Sequence, residues 1–470
     1  MQNLAEITPQ IALGPLDGRY RPEAAPLVNY LSEAALNRAR VKVEVEWLIF
    51  LLERRVLAGA PQLQPADIEY LRAIPENFGA EAIAELAEIE AETKHDVKAV
   101  EYFLKRRLDE AAGESALAQI HEIVHIFCTS EDINNLAYAI TIKGAVEDVW
   151  LPAARAFTEQ LAELARAQAE QPMLSHTHGQ HATPTTLGKE VAVFAHRLVR
   201  QLRRVEAQEF LGKINGATGT YGAHVAAVPG ADWPALSRDF VEELGLTWNP
   251  LTTQIESHDW DAELFGAVAH FNRIAHNLAT DFWTYISKGY FRQNLAAQGS
   301  TGSSTMPHKV NPIRFENAEA NMEISCALLD SLSATLVTSR MQRDLTDSTT
   351  QRNIGVALGH SLLAISNLRR GVAGLDVDGD RLASDLDAAW EVLGEPIQQA
   401  MRAAAIAGAE GMADPYERLK ALTRGQHVGE TEMREFIRGL GMPADLEARL
   451  LEMTPASYVG LAPQLVDYLG

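Results

Sequence analysis

Three long stretches of this 470-residue chain contain no proline: 185–228, 251–306 and 313–395. A helix interior tolerates proline badly, because the ring removes a backbone donor and collides with the preceding turn. Within these stretches apolar residues recur at intervals of three and four. Leu187, Val191, Phe194, Leu198, Leu202 and Val205 form one stripe, and Leu264, Val268, Phe271, Ile274, Leu278, Phe282 and Ile286 form another. Ile324, Leu328, Leu332 and Leu336 begin a third. The spacing predicts helices of roughly six to nine turns with one apolar face. Alternating β-type runs are missing, so an all-α architecture is expected, with a central bundle of long helices. Association of chains would cover such stripes, and a bundle inside one chain fits equally well.

A chain of this length exceeds a single compact core, so several domains are expected. Residues 1–118 read as shorter, acidic helical segments broken at Pro61, Pro65 and Pro75. Residues 119–366 hold the long helices and most polar motifs. Gly371, Gly374 and the aspartates from 376 to 380 mark a turn into a last helical domain, 367–470. Apolar residues make up 47% of the chain, enough for large cores. The net charge of -22 with no basic tract disfavours nucleic acid or an anionic membrane as partner. An anionic small molecule is still compatible if its cations sit in a pocket. Cys128 and Cys326 alone cannot build a disulfide framework, which points to a reducing compartment. Residues 1–14 lack the basic patch of a secretory leader, and the apolar run 47–52 is too short to span a bilayer. A soluble, cytoplasmic protein is expected.

The segment from Gly302 to Pro312, GSSTMPHKVNP, is glycine- and serine-rich and ends in Lys309, Asn311 and Pro312. Small residues let a backbone move and approach a ligand closely. Lys309 supplies a cation, Asn311 a neutral donor, and Pro312 can open a following helix. Such a segment suits a lid that stabilises charge developing on a carboxylate, and equally a plain connector between helices. His176-Thr177-His178-Gly179-Gln180-His181 packs three imidazoles ahead of the helix expected near Thr185. An imidazole is suited to protonating a leaving group near neutral pH. Helix capping explains the segment as well, whereas positions 176, 178 and 181 share no helical face for a metal. Thr129 and Ser130, followed by acids and amides, can bind a carboxylate at a helix start or simply cap it.

His121, Glu122 and His125 satisfy the HExxH zinc pattern, with Glu147 downstream as a third ligand, so a zinc hydrolase is one alternative. Gly216, Gly219 and Gly222 imitate a dinucleotide fingerprint without a preceding strand, and Asp376, Asp378 and Asp380 imitate a calcium loop with Arg381 where glycine is needed. Both read as turns. An anion clamp is suggested by Arg19 and Tyr20 in DGRY, by Arg343, Ser348 and Arg352 around DLTDS, and by Lys94, His95 and Asp96. Taken singly, each reads as a surface salt bridge.

Together these motifs resemble the aspartase/fumarase lyase superfamily. GSSxMPxKxNP, THGQxATP and TSxD are its signatures, here ending or lying at Pro312, Pro184 and Asp132. DGRY, HDVKAVEYFLK, HxxCTSEDINN, LGKINGA, NPxTTQIE and RDLTDSTxxRN narrow the resemblance to the adenylosuccinate lyase family, from about residue 11 into the last domain. The resemblance implies β-elimination of fumarate from a succinylated purine nucleotide, giving AMP, or from its imidazole precursor, giving the aminoimidazole carboxamide ribotide. It implies Ser303 as base and His178 as acid, although residue chemistry alone leaves Ser303 and Ser304 open. Lys309 and Asn311 would hold the carboxylate, Thr129, Ser130 and Ser304 the succinyl portion, and Gln254 and Asn317 further ligand contacts. Arg19, Tyr20, Ser348 and Arg352 match phosphate contacts, with His95, Asp96 and Arg343 nearby. Lys94 departs from the usual asparagine, and His176 and His181 from the usual arginine and proline. No metal or organic cofactor is implied. Homotetramers whose sites are shared between chains are usual in the family. Argininosuccinate lyase, fumarase and aspartase share the signature loop, and a non-catalytic helical scaffold derived from a lyase is the reading outside catalysis.

Overall fold

The computed structural model describes residues 12–111, 116–294, 306, 309–412, 414–423 and 428–470, the side chains of 421–423 excepted. Helices dominate. The longest among the described residues are Asp259–Lys288, Ile313–Leu336, Glu33–Glu53, Leu187–Glu206 and Ile354–Ala373. The first two stripes read from the sequence fall inside Leu187–Glu206 and Asp259–Lys288. The third is shifted. Ile324 is 46% exposed, and the buried face of Ile313–Leu336 runs through Ala318, Met322, Cys326, Leu329, Leu332 and Leu336. The sequence stripe thus started one face too far round. Among the described residues, strands are confined to four pairs of two or three residues, such as Phe291–Gln293 against Leu375–Val377.

The chain divides into two compact units. The first comprises residues 1–154, 201–273 and 320–366. At its centre, Glu33–Glu53 buries residues on every side, including Arg40, Glu44 and Trp47. A helix buried on every side belongs inside a core, and its buried charges must then find partners there. It packs against Pro65–Glu76, Asp96–Glu110 and Ser130–Gly144. Pro65 opens the first of these, at a position whose N–H needs no partner, and does not break it. The Trp47 ring meets Phe240 edge-on at 4.9 Å, and its N–H donates to the Ile126 carbonyl. A buried polar chain registers the longer helices. Trp150 donates to Ser361 (2.8 Å), Ser361 to Asn272 (2.7 Å), Asn272 to Ser325 (3.0 Å), and Ser325 to the Ala357 carbonyl (2.7 Å). With every member satisfied, such a chain fixes one register among several apolar ones.

The second unit comprises 155–200, 274–319 and 367–470. Its C-terminal helices close over a core of Trp390, Leu393, Ile397, Met401, Met433 and Ile437. Asp378 caps Gly379–Asp387 by accepting from the Arg381 N–H and pairs with Arg292, so the apparent calcium loop is a helix cap.

Candidate functional site

In the first unit, the TSED segment begins the helix Ser130–Gly144. Thr129 and Ser130 are partly exposed at its start, whereas Glu131, Asp132, Asn134 and Asn135 are buried. Asp132 fastens the segment. Its carboxylate accepts from the Thr129 N–H (2.8 Å), the Asn215 N–H (3.0 Å) and the Gly216 N–H (3.1 Å), and from Lys213 Nζ (2.8 Å). Asn135 holds the Lys213 backbone from both sides. The acids and amides after Thr129 therefore turn inward and build structure. The Gly216 and Gly219 backbones have φ of 85° and 74°, and a Cβ on Gly219 would lie 2.3 Å from the Thr252 carbonyl oxygen. These glycines serve a tight loop, not a dinucleotide. Nearby, burial together with Glu44 and Asp132 pushes the Cys128 thiol well above its usual pKa, leaving it a poor nucleophile.

A second feature joins residues 252–258 to residues 342–348. Thr253 Oγ1 donates to the Gln342 carbonyl (2.9 Å), and Arg343 Nη1 approaches Gln254 Oε1 (3.4 Å) and Glu131 Oε1 (2.9 Å). Gln254 in turn donates to the Ala217 carbonyl. His258 meets Asp261 at 2.9 Å and faces Asp347 at 3.7 Å. Burial opposes charge on His258, but Asp261 and Asp347 outweigh it and raise its pKa to about 10. The sequence reading missed His258, Asp261 and Glu131. Their signal was only adjacency to TTQIE and TSED.

Arg352, Ser348 and Asp96, three of the anion-clamp residues, meet in a third group. Arg352 Nη1 bonds Ser348 Oγ (3.0 Å), while Nη2 lies 3.3 Å from Asp96 and Nε 3.1 Å from Glu33. Asp96 also meets the buried Arg40 at 2.7 Å. Burial pushes the Asp96 carboxyl up, yet Arg40, the Val97 N–H and Arg352 together hold it below its usual value. His95 is the N-cap of Asp96–Glu110, its Nδ1 accepting from the Lys98 N–H at 3.2 Å. Lys94 is left-handed (φ 53°) and exposed. Arg19 is exposed, with its guanidinium 6.0 Å from the Tyr20 ring centre.

The second unit holds the histidine segment. His176–Thr177 and Gln180–His181 pair antiparallel, so His178 and Gly179 are the two-residue connection of a hairpin. Both have positive φ, 52° and 74°. That combination matches the right-handed twist of the flanking strands, and glycine tolerates it freely where histidine does not. The turn lifts the exposed His178 to the tip. Below it, His176 Nε2 contacts Lys288 Nζ (3.1 Å) and His181 Nδ1 contacts Glu391 (3.0 Å). Burial, then Lys288 and His181, lower the His176 pKa and favour its neutral form.

Ser303 and Ser304 lie outside the described residues. Lys309 is exposed, its N–H bonded to the Met306 carbonyl. Asn311 and Pro312 immediately precede Ile313–Leu336, so the helix starts where Pro312 led us to expect. Asn317, one turn on, accepts from Asn367 (2.8 Å).

The zinc alternative does not survive this geometry. An HExxH site needs both imidazoles on one face of an α-helix. His121 sits in a 3₁₀ turn, His121–Ile123, near Asp109. His125 lies beyond it at φ 63°, with its ring on the buried Glu44. Burial disfavours an imidazolium there, but the Glu44 hydrogen bond prevails and raises the pKa. Among the described residues no group of three or more His, Cys, Asp or Glu side chains is placed to hold a metal.

Comparison with known proteins agrees with the motifs. The profile of the Lyase family matches residues 18–326, and that of the adenylosuccinate lyase C-terminal family matches 339–459. Adenylosuccinate lyase from Escherichia coli K12 is 47% identical over 464 residues, covering 99% of this chain and all of that protein. The Haemophilus influenzae enzyme is 46% identical, covering 97% of this chain and 98% of its own length. Among solved structures, a fumarate lyase from Mesorhizobium sp. BNC1 superposes with a TM-score of 0.75 over 95% of this chain and 97% of its own, at 20% identity. A 3-carboxy-cis,cis-muconate lactonizing enzyme from Pseudomonas putida gives 0.71 at 19% identity, over 95% and 96%. Those two likenesses concern the fold alone. Near-complete coverage at almost half identity, with both profiles in order, places the chain in the adenylosuccinate lyase family.

Proposed function

We propose that this enzyme removes fumarate from adenylosuccinate, giving AMP, and from the succinylated aminoimidazole carboxamide ribotide, giving the free carboxamide. Full-length identity to lyases of that name carries the reading. In the elimination, a serine oxygen takes a proton from the carbon beside a carboxylate, and the electron pair first settles on that carboxylate. The pair then forms the carbon–carbon double bond as the carbon–nitrogen bond breaks, and the nitrogen gains a proton. The C–H is weakly acidic, so stabilising the anion dominates the barrier.

Ser303 is assigned as base and His178 as acid. A hairpin tip suits an acid that must enter a separate ligand site, and the left-handed backbone there has no structural need for histidine. Lys309 and Asn311 are assigned to the anionic carboxylate, Thr129, Ser130 and Ser304 to the succinyl group, and Gln254 and Asn317 to further contacts. Arg19, Tyr20, Ser348 and Arg352 take the phosphate, with Lys94, His95, Asp96 and Arg343 around it. Glu33 and Asp96 both pair with Arg352, so phosphate must compete for that guanidinium.

A homotetramer with sites built from several chains, working in the cytoplasm, belongs to the same proposal. Val193, Trp283 and Ile324 support it, since these apolar side chains are 40–46% exposed on long helices. Among the described residues, no helix is long and apolar enough to cross a membrane. The segment boundaries near 118 and 366 are also proposed as domain limits.

Absorbance at the purine band reports fumarate release from adenylosuccinate. Turnover by the wild type, lost in Ser303→Ala and His178→Ala with the fold intact, is expected. Wild-type protein inert toward both succinyl nucleotides would refute the reading. Mixing the two inactive variants should restore part of the activity if sites are shared, and no recovery would argue for single-chain sites.

A further inference from the structure

The stitching of residues 253–258 to 342–347 leaves one pair unexplained by the assigned roles. Thr253 bonds Gln342, Gln254 meets Arg343, and His258 faces Asp347, so the two segments run side by side with matched contacts. His258 is 3% exposed and sits at φ 59°, a backbone state that a histidine adopts at a cost. Its N–H donates to Glu256 (3.0 Å), which also accepts from Asn249 (2.8 Å). Its ring is fixed by Asp261 on one side. On the other side, His258 Nε2 and Asp347 Oδ2 are both buried, neither has a hydrogen bond among the described residues, and the two atoms lie 3.7 Å apart. Asp347 uses its remaining oxygen to accept from the Ser348 N–H (2.6 Å), and that oxygen lies 3.9 Å from Arg343 Nη2.

We propose that His258 is a positioning residue, holding Asp347 so that Asp347 sets the placement of Arg343 and Ser348 against the nucleotide phosphate. The proposal rests on the reading above for what binds at Arg343 and Ser348. It adds the device that aims them. His258 touches no substrate in this scheme. The ring is held as an imidazolium by the groups facing it, Asp261, Asp347 and Glu256, so at neutral pH it meets Asp347 as a cation. A buried carboxylate facing a fixed cation has one favourable orientation, and its other oxygen then fixes the Ser348 amide and the Arg343 side.

Four proteins decide the matter: wild type, His258→Gln, Asp347→Asn and the double variant. AMP affinity is read by calorimetry, and KM and kcat with adenylosuccinate separately. Each single substitution should weaken AMP binding and raise KM by about tenfold, with kcat within about threefold. Because His258 acts through Asp347, the double variant should bind no worse than Asp347→Asn alone. A general packing defect would instead add to the loss and lower kcat. Additive losses, or unchanged AMP affinity in Asp347→Asn, would overturn the inference. Should His258→Gln fail to fold, Asp347→Asn decides by itself, since it keeps the acceptor for the Ser348 amide and removes only the charge. AMP binding that follows this pattern in a protein inert toward adenylosuccinate would sink the proposed reaction and leave the positioning role standing. Wild type that neither binds AMP nor turns over adenylosuccinate would sink both.

Discussion

Lys213 Nζ lies 2.8 Å from Asp132 Oδ1, and neither side chain reaches solvent. The pair ties the LGKINGA loop to the start of the TSED helix. Removing one partner strands a buried charge, a loss of roughly 3–5 kcal/mol. Lys213→Met should therefore lower the urea midpoint sharply, and Asp132→Asn added to it should recover part of the loss. Equal midpoints for wild type and Lys213→Met would show that the pair does not stabilise the fold.

His258 gives stability a particular pH dependence. Its folded pKa is raised to about 10 from a usual 6.5. The folded state thus keeps a proton that the unfolded chain loses, and the gain is complete only below about 6.5. It should decline steadily as pH rises toward 10 and be gone above that. Thermal melts of wild type and His258→Gln from pH 6 to 10.5 should converge at the alkaline end. A constant gap across the range would contradict the assignment.

Gly219 couples loop geometry to ligand contact. Alanine there must place a Cβ against the Thr252 carbonyl while holding φ at 74°. The strain is on the order of 1–3 kcal/mol, and its relief shifts the loop that accepts from Gln254 through Ala217. Gly219→Ala should lower the melting temperature and raise KM together. Steady-state kinetics beside a melt would expose either effect occurring alone.

Gly179 tests the hairpin. No described residue lies within 4 Å of a Cβ at this position, so a substitution there meets backbone strain. Gly179→Val costs about 1–2 kcal/mol in the left-handed state and should relax the turn. Since His178 is assigned to proton donation, kcat should fall more than tenfold with KM nearly unchanged. A loss confined to KM would remove His178 from the chemical step.

The helices were legible because their signal is local and repetitive: proline-free length and a three-four interval need no tertiary knowledge. The third stripe misplaced its face because the buried line passes Ile324 through the polar Ser325 and the small Cys326, which a count of large aliphatic side chains overlooks. Short motifs such as TSED and TTQIE announced themselves through unusual polar density. What they do was less legible. Asp132 and Glu131 bond a lysine and an arginine brought from about eighty and two hundred residues away, a pairing with no local signal. His258 was invisible because a single histidine has no period, and its partner Asp347 is remote in sequence. The HExxH pattern offered a false alternative for the opposite reason, since five residues can match a motif without adopting the helix it presumes.

The cap formed by His95 has a chemical corollary. Because Nδ1 spends its lone pair on the Lys98 amide, a neutral ring has only one place left for its hydrogen, Nε2. The outward edge of that ring is then a donor, suited to an anion and unsuited to extracting a proton. Any scheme casting His95 as a general base must first uncap the helix beneath it.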